Sequence, residues 1–106
     1  MTEITYREYY NGFYLEASGH AGFKKHGEDI VCAAVSVLCC TLLECLKNEQ
    51  CMMHLNLKRA IVRDGYFCVE AEPFEFARER VQMLFDTVVT GLTMVSEEYS
   101  DFVKID

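Results

Sequence analysis

Positive charge is scarce in this sequence. Ten Lys and Arg face 17 Asp and Glu, a formal net charge of −7, and nucleic acids are bound mainly through basic patches. Direct nucleic-acid binding is therefore not expected. The acidity keeps a chain soluble and favours encounter with a basic partner, by steering that weakens as salt rises. Metal-binding spacings are scarce too. Six cysteines occur, yet no two stand as CxxC, so a closed zinc site is disfavoured and no metal or organic cofactor is predicted. Cys39, Cys45 and Cys68 read as small apolar packing groups in a reducing cytoplasm. No secretory leader stands at the start, where Thr2 to Tyr10 alternates like a strand. The longest apolar-rich run, Ile30 to Leu43, is shorter than a bilayer span and carries Ser36 and Thr41. It argues for a core or interface helix and against a membrane role. No repeat, low-complexity tract or linker divides the chain, and 106 residues suffice for one hydrophobic core and not for two. The expectation is a single cytoplasmic domain over residues 1–106.

What is present begins with two strand-turn-strand patterns. Thr2 to Tyr9 alternates Ile4 and Tyr6 with Thr5 and Arg7, Asn11-Gly12 offers a tight turn, and Phe13 to His20 returns as a second strand. Phe13, Leu15, Ala17 and Gly19 share one face of that strand, while Tyr14, Glu16, Ser18 and His20 share the other. Met52 to Val62 and Tyr66 to Glu72 repeat the pattern around Asp64-Gly65, with Met53, Leu55 and Leu57 inward and His54 on the exposed side. Between the hairpins, Asp29 to about Asn48 reads as a helix that is apolar on nearly all sides over its first half. A second helix is expected to open at Pro73, since a first turn tolerates proline. Its core stripe would be Phe74, Ala77, Val81, Leu84, Phe85, Val88, Leu92 and Val95. Gly91 inside it costs about 1 kcal/mol relative to alanine and predicts close approach to another backbone. Asp101 to Ile105 could add a last strand. The elements sum to ββαββα with a possible final strand, an α+β fold in which two helices pack on one face of a twisted, mostly antiparallel sheet. The apolar first helix also points to a homodimer.

The residues with chemistry gather in Gly19 to Ser36, GHAGFKKHGEDIVCAAVS. His20 stands at a strand end and Cys32 at the start of the apolar helix, with a loop carrying Gly22 and Gly27 between them. Asp29 is a favoured N-cap residue and sets Cys32 at the third helical position. There the unpaired N–H groups and the positive end of the helix dipole favour negative charge on sulfur. A nearby imidazole would supply the base and then the acid that acyl transfer requires, and the same N–H groups could hold a developing oxyanion. Ser36 follows Cys32 by one helical turn on the same face, so it either bonds a backbone carbonyl or helps to orient the site. Asp29 has a similar pair of readings, capping alone or orienting His20. His26 is expected in solvent. Two rival readings stay open: a non-catalytic peptide-binding or assembly module, and a metal or redox site built from His20, His26 and Cys32.

Gly19, His20 and Ala21 spell GHA; after a short glycine-containing loop, Gly27, Asp29, Val31, Cys32, Ala33, Ala34 and Ser36 spell GxDxVCAAxS. This pattern resembles the signature of the bacterial ribosomal-processing cysteine proteases, the Prp family, and the length and order of elements extend the resemblance over nearly the whole chain. The resemblance implies a cysteine endopeptidase that removes a short N-terminal extension from a large-subunit ribosomal protein and so supports ribosome assembly. It implies Cys32 as nucleophile, His20 as general base and acid, and Asp29 and Ser36 in support. Gly19, Ala21, Gly22 and Gly27 would shape a substrate loop that closes as a lid. It further implies a homodimer and no cofactor.

Overall fold

A computed structural model describes residues 1–106. The elements are β1 (Thr2–Tyr9), β2 (Gly12–Ser18), α1 (Ile30–Cys51), β3 (Leu55–Arg63), β4 (Tyr66–Pro73), α2 (Arg78–Glu98) and β5 (Val103–Ile105), with one 3-10 turn, Glu75–Ala77, ahead of α2. The strands lie in the order β3-β4-β2-β1-β5, and every neighbouring pair is antiparallel except β1 with β5.

Period-two alternation explains the layering. Phe13, Leu15 and Ala17 of β2 stand opposite Ala71, Val69 and Phe67 of β4. All six are buried and share one core with Val31, Val35, Leu42 and Leu46 of α1 and Val81, Phe85 and Leu92 of α2. Both helices therefore cover one face of a mostly antiparallel sheet, the α+β arrangement expected. α1 is long and apolar enough to cross a membrane, yet Val31, Val35, Cys39, Leu42, Leu43 and Leu46 are buried in the fold. The last strand forms as expected, because Thr2 and Asp106 donate backbone N–H groups to Phe102 and Ile4 and so close the β1 edge.

Several local expectations change. The first hairpin turns at Tyr10-Asn11, since Tyr9 pairs with Gly12. Gly12 has no positive φ; it is glycine because a Cβ would collide with the Ala71 carbonyl of β4. α1 continues past Asn48 to Cys51, Met52 caps it, and Met53 turns the chain with a φ of 61°. β3 consequently starts at Leu55. Pro73 ends β4 opposite Leu55 instead of opening a helix, at a strand terminus where a missing N–H is tolerated. Phe74 is then 42% exposed and lies outside the core stripe. Gly91 approaches a side chain and not a backbone, for a Cβ there would stand 2.9 Å from Leu38 Cδ2. His54 is half-buried, with Nδ1 2.9 Å from Glu49 Oε1.

Candidate active site

The site begins where β2 ends. Gly19 turns the chain with a φ of 93°; its N–H donates to the Gly65 carbonyl at 2.8 Å, and its own carbonyl accepts Thr2 Oγ1 at 3.1 Å. A Cβ at Gly19 would lie 2.6 Å from the Met1 carbonyl oxygen, so both conformation and space require glycine. Held this way, the next residue, His20, lies over the β3-β4 turn. Its Nε2 is 3.7 Å from Asp64 Oδ2, an ion-pair distance and not a direct hydrogen bond. A Cβ on Gly65 would come within 2.9 Å of the same nitrogen. The imidazole rests on a glycine with a carboxylate at its edge.

Asp29 organises the opposite wall. Its Oδ1 accepts the Val31 and Cys32 N–H groups at 2.9 and 3.0 Å, and its Oδ2 accepts those of Phe23 and Lys24 at 2.9 and 3.3 Å. One buried carboxylate thus caps α1 and folds the preceding loop against it. Burial disfavours its charge, but the N–H donors of Cys32, Lys24, Phe23 and Val31 outweigh burial and hold the carboxyl below the usual carboxylate range. Of the two readings of Asp29, these bonds account for capping: both oxygens accept backbone donors, and no hydrogen bond joins them to His20. They also occupy the first-turn N–H groups of Val31 and Cys32, so the expected oxyanion donors are not free. A different donor faces the sulfur. The N–H of buried Ala21 is aimed at Cys32 Sγ at 3.2 Å.

Phe23 packs edge-to-face on Tyr99 and Phe102, with ring centroids 5.5 and 5.2 Å apart. The loop is therefore anchored through its first half, and Lys25 to Glu28 remain exposed. Gly22 and Gly27 hold φ values of 77° and 92° in open space, so the backbone path alone requires them. His20, Cys32, Ser36, Asp64 and Gly65 line one cleft, and His26 joins them.

The family model for the cysteine protease Prp matches residues 1–104. This chain belongs to the Prp cysteine protease family. A ribosomal processing cysteine protease Prp from Bacillus subtilis (strain 168) is 27% identical over 99 residues, which cover 86% of this chain and 81% of that protein. SMU.848 from Streptococcus mutans has the same fold at a TM-score of 0.72 and 27% identity, over 100% of this chain and 92% of its own. The essential ribosomal processing protease Prp from S. aureus, in complex with a covalently linked product peptide, matches at a TM-score of 0.71 and 20% identity, over 99% and 95%. At that identity the likeness is one of fold. Membership of the Prp family makes this chain a cysteine peptidase.

Among the thiols of this Prp member, burial pushes Cys39 up to about 12, with a further push from Cys40. Cys39 and Cys68 are buried packing groups and Cys45 is half-buried, in line with the reading from sequence. Asp64 and Gly65 were legible only as a turn. They meet His20 because β4 pairs with β2, with Ser18 opposite Tyr66, and no local pattern carries that pairing. His26 is exposed, yet its ring lies 5.7 Å from that of His20. The ligand-type cluster at this corner is His20, His26 and Asp64, which differs from the rival metal reading in having Asp64 in place of Cys32.

Proposed function

We propose that this chain is a cytoplasmic endopeptidase that removes an N-terminal extension from a bacterial large-subunit ribosomal protein, with Cys32 as nucleophile and His20 as general base and acid. The observation that carries this reading is that Cys32 and His20 line one cleft, with a backbone donor already aimed at the sulfur. In the reaction the Cys32 thiolate attacks the scissile carbonyl and forms a C–S bond. The C–N bond then breaks as His20 gives its proton to the leaving amine, and water, deprotonated by the same imidazole, hydrolyses the thioester. The Ala21 N–H, which faces the sulfur, serves as a backbone donor for the oxyanion that develops beside it. Asp64, at one edge of the His20 ring, acts as a positioning residue. Ser36 lines the cleft on the helix face of Cys32 and supports the substrate. The lid is the exposed stretch from Lys25 to Glu28, shorter than the whole loop, because Asp29 and the Phe23 packing hold the residues before it.

The substrate class is supported by the relatives named as ribosomal processing proteases and by the net charge of −7, which suits a basic ribosomal protein. Ile30 and Val37, 58% and 65% exposed on α1, supply an apolar surface for a homodimer. No cofactor enters the chemistry. Intact-mass analysis of the ribosomal protein with its extension, after incubation with the wild type, Cys32→Ala and His20→Ala, tests the proposal. A single shortened product from the wild type alone is expected. Binding by all three without shortening would remove the proposed reaction and leave an assembly module that holds the same protein.

A further inference from the structure

Three ligand-type side chains from three separate segments converge at the exposed corner of the cleft: His20 after β2, His26 on the loop and Asp64 in the β3-β4 turn. A ligand atom of each lies within 4.8 Å of the other two. His20 Nε2 and Asp64 Oδ2 are already 3.7 Å apart, and the imidazoles stand nearly perpendicular, at 83°, instead of stacking. A tetrahedral zinc ion with bonds of about 2.0–2.1 Å separates its donors by roughly 3.3 Å. Closing this cluster onto an ion therefore takes movement on the order of 1 Å in side chains that are all exposed. The neighbouring cation Lys25 is drawn off by Glu28, with Nζ 3.6 Å from Oε1. The other histidine–carboxylate pair offers no such site, because Glu49 is buried and its Oε1 already takes Arg80 Nε at 2.5 Å. Two imidazoles and one carboxylate suit a borderline ion of the zinc class; magnesium and calcium prefer oxygen throughout.

We propose that His20, His26 and Asp64 form a reversible binding site for a zinc-class divalent ion, and that its occupation switches the peptidase off. The metal site stands on the geometry of the three side chains; the inhibitory role rests on the reading of His20 as the catalytic base. A metal bound to His20 takes the nitrogen lone pair that would accept a proton. It also ties His26 to the β3-β4 turn and so pins the exposed part of the loop at the mouth of the cleft that Cys32 lines. Inhibition thus has two causes, a withdrawn base and a loop pinned at the mouth of the cleft, and both are reversed when a chelator removes the ion.

The test separates the two parts. Zinc and cobalt(II) are titrated into the Cys32→Ala chain, whose nucleophile cannot hold metal. One ion per chain is expected, with a visible cobalt band of nitrogen and oxygen ligation, and both signals should be lost in the Cys32→Ala/His26→Ala chain. Undiminished binding by that double variant would overturn the site. Turnover of a peptide spanning the extension junction is then followed in the wild type and in His26→Ala, each relative to its own rate in chelator. The zinc concentration for half-inhibition should rise at least ten-fold in His26→Ala. Equal potency in the two would overturn the inhibitory role, since zinc would then act at Cys32 without the cluster. Binding as expected in a chain that cleaves nothing even in chelator would keep the metal site and overturn its inhibitory role, together with the protease reading.

Discussion

α1 carries a buried carboxylate at each end, and the two hold different things. Asp29 at the N-terminal end accepts four backbone N–H groups from Phe23, Lys24, Val31 and Cys32. Glu49 at the C-terminal end accepts side chains from elsewhere in the chain, Arg80 Nε at 2.5 Å and His54 Nδ1 at 2.9 Å. Both carboxyls lie below the usual range. Backbone donors do this for Asp29 against the opposing effect of burial; for Glu49 the Arg80 bond leads, burial opposes it, and His54 adds to Arg80. A carboxylate that answers to nearby backbone determines the shape of one loop. One that answers to side chains, His54 just ahead of β3 and Arg80 on α2, joins a helix end to two other parts of the fold. The cleft lies at the first end, so damage to Asp29 should appear in turnover beyond its effect on stability, whereas damage to Glu49 should appear in stability alone.

The largest effect is expected from Asp29→Asn. The amide keeps one acceptor but sets an NH2 against two N–H donors, and buried donors left without a partner cost about 2–3 kcal/mol in all. Turnover in the folded variant should fall by about 100-fold, the scale of a small misplacement of reacting groups. Urea unfolding and peptide cleavage at a temperature where the variant is folded check both, and near-normal turnover would break the comparison. Glu49→Gln comes next. It should cost about 1–2 kcal/mol, at the lower end for charged hydrogen bonds because solvent screens the exposed Arg80. Its turnover should stay within about two-fold of the wild type.

Acid sharpens the comparison further. Because both carboxyls titrate lower in the folded chain than in the unfolded one, the unfolded chain takes up protons first as pH falls. Their stabilisation is complete above the ordinary carboxylate value of about 4 and is lost as pH drops through the depressed folded values. Denaturant midpoints measured from neutral pH downward should therefore fall more steeply for the wild type than for Asp29→Asn/Glu49→Gln. Equal slopes would show that other groups dominate acid unfolding.

The smallest effect concerns a polar group with no such anchor. Tyr6 Oη is buried with no hydrogen-bond partner, and burial, assisted by Asp86 and Glu8, pushes its hydroxyl up to about 12. Tyr6→Phe should raise stability by up to about 1 kcal/mol with turnover unchanged. A destabilised variant would show that the hydroxyl is satisfied in solution.

Much of the fold is legible locally. The alternation of Phe13, Leu15 and Ala17, the Asp29 cap, and the stripe of Val81, Phe85, Val88 and Leu92 each report a face or a terminus through neighbours in sequence. Pro73 misled because a proline suits both a strand end and a first helical turn. Gly12 misled because the steric need for glycine comes from β4 and not from its own turn.

The sequence by itself determined the motif from Gly19 to Ser36, the cap that starts α1 beside Cys32, and the sheet-and-helix class, since all of these depend on short-range spacing and capping. Only the tertiary structure decided that Asp64 and Gly65 lie against His20, that Asp29 also holds the Phe23 and Lys24 N–H groups, and that Ala21 presents a donor to sulfur. The physical reason is that periodicity says which way a side chain faces, while its neighbour across the fold follows from strand order. Strand order is set by burial of one shared core to which every element contributes.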